Sequence, residues 1–447
     1  MEISQRDASL AAVGAESAPT LAAGGKIKRA KAVAAITIGN GLEYFEFTSY
    51  SFFAIIIGKL YFPADGDIAQ LLLVTATFGI GFVARPIGGL LLGAYADRVG
   101  RKAAMTLTLQ LMALGSAMIV FAPTYAQIGL AAPLLIVAAR LIQGFALGGE
   151  IGASTSLLME YADDNSRGFY GGLQAVSQNL SALLGALAGL FLTAILTTAS
   201  LESWGWRIPF AIGLLMGPLG VFIRRNLHET LDDGPAVYMG KPRKSNAIST
   251  VFAHHKKEIA AGILLTMGNT AAIYITLYYI PTYATKILHM SMSAGLAAAC
   301  VAAAVAALVA PLAGMLSDKA GRKRVFAAFC LLLALVIYPA FALINAHTTL
   351  GVLLPTIALL SLLTTFIAVP GLVMLPELFP RPVRVTGMSV VYCVGVSIFC
   401  GFAPFFATEL MALSGSNLAP SWYVIGCALI ALLSLPLIRD KAGQPLD

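Results

Sequence analysis

The sequence predicts an all-α integral membrane protein of twelve transmembrane helices arranged as two six-helix bundles of matching plan. Three observations carry this. The 447 residues are 58% hydrophobic and only 11% charged, against about a quarter charged in soluble domains. Apolar runs repeatedly reach the roughly 20 residues that span a bilayer as helix, and no series of short alternating segments points to a barrel. Finally, the stretch from Gly88 to Lys102, GGLLLGAYADRVGRK, returns from Pro311 to Lys323 as PLAGMLSDKAGRK, with Asp97 and Asp318 lying 221 residues apart. A repeat at near half the chain length marks an internal duplication.

The elements follow in order. Residues 1–31 hold Glu2, Asp7 and Glu16, and no cleavage site follows the first apolar run, so they read as a cytoplasmic tail. Apolar runs bounded by charge, Gly and Pro then place helices at roughly 32–58, 68–95, 103–122, 131–160, 169–197 and 206–225, and again at 257–285, 293–316, 324–344, 350–378, 385–412 and 420–438. Residues 226–256 are polar and link an N-terminal bundle, 32–225, to a C-terminal bundle, 257–438, and 439–447 form a second cytoplasmic tail. Placing both termini inside assigns 24 of 29 Lys and Arg residues to the cytoplasmic side, as the positive-inside bias demands. That topology accounts for the formal charge of +7, and no basic soluble face for nucleic acid remains. Trp204, Trp206 and Trp422 fall near predicted outer helix ends and read as an interfacial belt. The five cysteines lie in apolar runs without C-x-x-C spacing, which indicates small packing residues and neither a disulfide framework nor a metal site.

In both copies of the repeat an apolar helix ends in Gly-x-x-x-Asp, then a basic residue, a pair ending in Gly, and Arg-Lys. Gly93 and Gly314 permit close approach of a neighbouring helix, and Gly100 and Gly321 permit a tight reversal. Asp97, Arg98 and Arg101, with Asp318 and Arg322, therefore sit at one membrane surface. Glu377, and Glu160 with Arg167, occupy matching helix ends in the two halves and are expected to latch onto these loops. The doubled pattern resembles the cytoplasmic signature of the major facilitator superfamily.

Ionisable residues inside the helices are informative, because each costs about 2.5–3.5 kcal/mol on insertion scales. At 1.5 Å per residue, Glu43 lies about 18 Å from the cytoplasmic end of the first helix, with Glu46 one turn further on the same face, and Arg85 lies roughly 15 Å deep in the second. Arg140, Gln143 and Glu150 share one stripe of the fourth helix, and Gln174, Gln178 and Asn179 follow in the fifth. Buried ion pairs account for any one of these charges as well as a binding role does. Two arginines and three carboxylates in adjacent helices of one half exceed what packing needs, and arginine grips carboxylates bidentately. The second half offers Asn269, Tyr274, Tyr278 and Tyr279, which either complete a pocket or pack as aromatic core, while Thr364, Thr365 and Pro370 suit a bending helix. No Walker loop, G-x-S-x-G elbow or H-E-x-x-H is present, so no enzyme is indicated.

GNGLEYFEF, ARPIGG leading into GAYADRVGRK, RLIQGFALGGE, WGWRIPF and YYIPTY together resemble the metabolite:proton symporter family, and within it the bacterial citrate–proton symporters, with tricarballylate carriers close by. The resemblance implies a major facilitator fold in a bacterial inner membrane, a functional monomer, and import of a small organic acid with H⁺ by alternating access. The proton gradient is then the driving force and no cofactor or metal is involved. Arg85 and Arg140 are expected to hold substrate carboxylates, with Gln143, Gln174, Asn179, Tyr274 and Tyr278 adding hydrogen bonds. Glu43, Glu46 and Glu150 are the candidate proton sites. Glu46 stands where many relatives carry aspartate, which keeps the charge and lengthens its reach. Symport of another organic acid or solute, such as α-ketoglutarate, shikimate or betaine, is the alternative, as is a transporter-like receptor that moves nothing.

Overall fold

The computed structural model describes residues 37–38, 40–41, 44–64, 66–99, 101–148, 155, 158–159, 162–214, 247–380 and 383–445. Residues 44–61 form α1, interrupted by one turn residue at Phe53, and α2 runs from Asp67–Val83 past Ala84 into Arg85–Val99. Next come α3 (Arg101–Val120), α4 (Ala131–Gly148), α5 (Arg167–Ile195) and α6, described over 208–214. A short helix, Ala247–His254, closes the expected linker. The second half comprises α7 (Lys256–Lys286), α8 (Met292–Ala320), α9 (Arg322–Ala346), α10 (Leu350–Glu377), α11 (Arg384–Ser414) and α12 (Ala419–Leu437). Among the described residues nine of these are long and apolar enough to cross a membrane, and no strand occurs. Leu308, Leu335 and Leu413 stand exposed on outer faces, as they do when hydrocarbon is the solvent.

Glycine sets the closest crossings. A Cβ on Gly144 would fall inside the carbonyl of Gly81, and one on Gly148 inside that of Arg85. Helices α2 and α4 therefore touch backbone to backbone, which brings Arg85 and Arg140 to a common neighbourhood. The halves meet mainly along α5 against α8 and α2 against α11. Gly168 of α5 and Gly314 of α8 abut so closely that a side chain on either would strike the other's carbonyl. Between α8 and α9 the chain reverses at Gly321, where φ is +95°, a conformation open to glycine at no steric cost.

Two π-helical turns, Tyr274–Tyr279 in α7 and Val396–Cys400 in α11, interrupt the second half. Such turns concentrate at functional sites because they re-aim side chains within an otherwise regular helix. Ser51 Oγ on α1 donates to the Tyr278 carbonyl at 2.7 Å, and Ser397 Oγ on α11 donates to the Phe82 carbonyl at 2.6 Å. Both bonds cross between the halves.

The tryptophans divide. Trp204 and Trp422 are about half exposed, at 52% and 51%, as belt residues are. Trp206 is instead fully buried, with its ring 5.8 Å from Tyr61 and 5.9 Å from Phe210 and the Arg207 guanidinium 4.5 Å above it. The 3₁₀ turn Gly205–Arg207 directs it inward, which nearness to a helix end alone does not reveal.

Candidate functional site

The site is built around Phe47 of α1. The Arg85 guanidinium lies 4.6 Å from the centroid of this ring and 3.9 Å from that of Phe82, while the Arg140 guanidinium lies 4.5 Å from Phe47 and 4.5 Å from Tyr50. Both arginines are buried. None of the three guanidinium nitrogens of Arg85, and neither Nε nor Nη2 of Arg140, has a hydrogen-bond partner among the described residues. Aromatic faces return only about 0.5–2 kcal/mol per cation, whereas an uncompensated buried charge costs several. Among the described residues the pair is electrostatically incomplete.

The one side-chain hydrogen bond that Arg140 makes among the described residues begins a chain. Arg140 Nη1 donates to Gln143 Oε1 at 3.0 Å, Gln143 Nε2 donates to Ser116 Oγ at 3.0 Å, and Ser116 Oγ donates to Glu46 Oε2. The carboxylate is 4% exposed and presses on Gly213 of α6, where a Cβ would collide with the Glu46 side chain. Four side chains from α1, α3 and α4 thus join a buried acid to a buried cation without direct contact. Glu46, Arg140 and Gln143 were legible as polar residues in apolar helices. Ser116 was not, since one serine in an apolar run carries no signal in sequence.

A cavity of about 80 Å³ lies between the halves, with Tyr44, Gln178, Asn179, Asn269, Tyr274, Tyr278, Ser361, Thr364, Thr365 and Tyr392 among its lining. Of the expected ligands, Asn179, Tyr274 and Tyr278 are on the wall. The tyrosine rings are 5.1 Å apart. Arg85, Arg140 and Gln143 are not on it. They are set back by an aromatic layer: the Phe82 ring that bears Arg85 also packs edge-on against Tyr274 at 5.6 Å. Gln174 is fully buried, its amide without a partner, and is likewise absent from the wall. Glu43 and Glu150 lie outside the described residues.

At the end bearing the repeated motif, the second copy reaches across to the first half. Arg322 Nε donates to both Glu377 oxygens at 2.9 and 2.8 Å, its Nη1 pairs with Asp318 at 2.9 Å, and Arg167 Nη1 lies 3.1 Å from Glu377. Asp318 also accepts the backbone N–H groups of Gly168 and Phe169, at 2.8 and 3.1 Å, in the first turn of α5, where free donors and the helix dipole favour a carboxylate. Of the first copy, Gly93, Asp97, Arg98 and Arg101 are placed in helix without described side chains, and Gly100 and Glu160 lie outside the described residues. At the opposite end Lys286 pairs with Asp67 at 2.6 Å, again across the halves. Among the described residues no group of three His, Cys, Asp or Glu side chains is placed to hold a metal ion.

A family model described as Major Facilitator Superfamily matches residues 36–311 and 264–445. The chain is 35% identical over 422 residues to a citrate-proton symporter of Klebsiella pneumoniae, covering 94% of each protein. It is 29% identical over 439 residues to a proline/betaine transporter of Salmonella typhimurium, covering 94% of this chain and 85% of that one. A solved structure of the proton:xylose symporter XylE, bound to 6-bromo-6-deoxy-D-glucose, superimposes with a TM-score of 0.72 at 16% identity, covering 94% of this chain and 98% of that one, and so shares its fold. The paired halves, the doubled motif and the matched relatives lead to one conclusion: this chain belongs to the major facilitator superfamily.

Proposed function

We propose that the protein is a proton symporter that imports a di- or tricarboxylate, citrate or a close analogue, by alternating access between its two halves. The observation that carries this is the buried guanidinium pair at Arg85 and Arg140, of whose six nitrogens five have no hydrogen-bond partner among the described residues and the sixth is tied through Gln143 and Ser116 to the Glu46 carboxylate. Five unpaired guanidinium nitrogens suit substrate carboxylates, which arginine binds through parallel N–H donors. A substrate entering from the cavity meets Tyr274 first, and movement of the Phe82 and Tyr274 rings opens the way to Arg85. An anion on Arg140 competes with Gln143 for that guanidinium, and the disturbance passes to the acid at Glu46. Occupancy and protonation are thereby linked.

Protons are needed on energetic grounds. Moving an anion inward against an inside-negative potential costs about 2.3 kcal/mol per charge per 100 mV, so a trianion enters efficiently only with compensating protons. Alternation would break the Glu377–Arg322–Arg167 cluster at one end and the Lys286–Asp67 pair at the other. The second reading is symport of a zwitterionic solute, favoured by the absence of charged side chains from the described cavity wall and by the proline/betaine relative.

The test is uptake of radiolabelled citrate into proteoliposomes under an imposed inward pH gradient, with tricarballylate, α-ketoglutarate, shikimate and proline betaine as competitors. Gradient-driven uptake competed by polycarboxylates is the expected result. Competition by betaine alone would replace the first reading with the second.

A further inference from the structure

Most hydroxyls on the cavity wall are already committed. Thr270 Oγ1 donates to the Thr266 carbonyl, Ser361 Oγ to that of Ala302, and Thr364 and Thr365 Oγ1 to that of Ser361, at 2.6 to 3.0 Å. Asn269 differs. It lines the cavity and is 2% exposed, yet its Oδ1 has no hydrogen-bond partner among the described residues. Gly371 of α10 packs against the amide, and a Cβ there would come within 2.7 Å of Asn269 Cγ. A buried acceptor without a donor costs free energy unless a ligand completes it.

We propose that Asn269 is a specificity-determining residue, whose Oδ1 accepts a hydrogen bond from a hydroxyl group on the transported acid, so that the site selects hydroxylated polycarboxylates over their deoxy counterparts. This rests on the carboxylate reading above and narrows it. An amide oxygen repels carboxylates and attracts a hydroxyl proton, so it complements the cationic groups and does not duplicate them. A deoxy analogue leaves this acceptor unpaired in the closed cavity, and sites built to pair with a substrate hydroxyl reject the analogue that lacks it.

The test is equilibrium binding to the purified full-length protein of two matched pairs, citrate against tricarballylate and malate against succinate. The wild type is expected to prefer the hydroxylated acid in each pair by about tenfold. In Asn269→Leu that ratio falls toward one while affinity for the deoxy acid is kept, and the milder Asn269→Ser retains part of it. Because the readout is a ratio of affinities within one protein, a loss of folded material lowers the number of sites and leaves the ratio unchanged. Acids that bind the wild type without hydroxyl preference, or a preference that persists in both variants, would overturn the assignment and leave the carboxylate reading standing. If none of the four acids binds, the carboxylate reading itself fails, and this inference with it.

Discussion

Replacing Arg85 with methionine is expected to reduce gradient-driven citrate uptake by at least about thirtyfold while leaving the protein as stable as the wild type, or more so. The two halves of this expectation come from one fact: the guanidinium sits in an aromatic nest with no hydrogen-bond partner for any of its three nitrogens among the described residues. A structural ion pair behaves otherwise, because removing one partner strands the other and costs about 3–5 kcal/mol. Here no partner among the described residues is stranded. Methionine fills similar space with a polarizable chain that favours aromatic contact, and the desolvation cost of the cation disappears. What disappears with it is a charge-assisted bond to the substrate, whose loss costs about 2–5 kcal/mol. Uptake and the thermal denaturation midpoint measured on the same preparations separate the roles. A large fall in the midpoint would make Arg85 structural.

Glu377→Ala is expected to give the reverse pattern, with stability falling by about 3–5 kcal/mol. Glu377 is 4% exposed and takes both Arg322 Nε contacts as well as the 3.1 Å approach of Arg167. Its removal leaves two fully buried guanidinium groups facing each other, with Asp318 as the remaining anion on Arg322. The same change loosens the end where α5 and α8 meet, because Arg322 also steadies the Asp318 carboxylate that caps α5. Denaturation midpoints of Glu377→Ala and Glu377→Gln check this, with the glutamine variant falling less because it still accepts from Arg322. Midpoints unchanged in both would show the cluster to be energetically idle.

The parts legible in the sequence are those that depth and duplication encode. The repeated Gly-x-x-x-Asp and the apolar runs led to two paired bundles, and Arg85, Arg140, Gln143 and Glu46 stood out because polarity is costly at that depth. What depth does not encode is the direction in which a residue faces. Gln174 shares a helix with Gln178 and Asn179, yet it is buried off the cavity that they line. The arginines share a level with the tyrosines but stand behind Phe82, since the rotation of α2 and α4 is set by glycine contacts between them. Ser116 was silent for a related reason: its role exists only through Glu46 on one side and Gln143 on the other. Trp206 was misplaced because a single 3₁₀ turn separates a belt from a core position.

The central claim is that movement of the anion and of protons is coupled through Glu46. The most direct measurement records external pH when citrate is added to lightly buffered, de-energised proteoliposomes containing wild type or Glu46→Gln. The wild type should alkalinise the medium as citrate enters. Glu46→Gln, which still accepts from Ser116 but holds no exchangeable acid, should produce no alkalinisation while continuing to exchange internal for external labelled citrate. Citrate entry without alkalinisation in the wild type, or full alkalinisation by Glu46→Gln, would contradict the account.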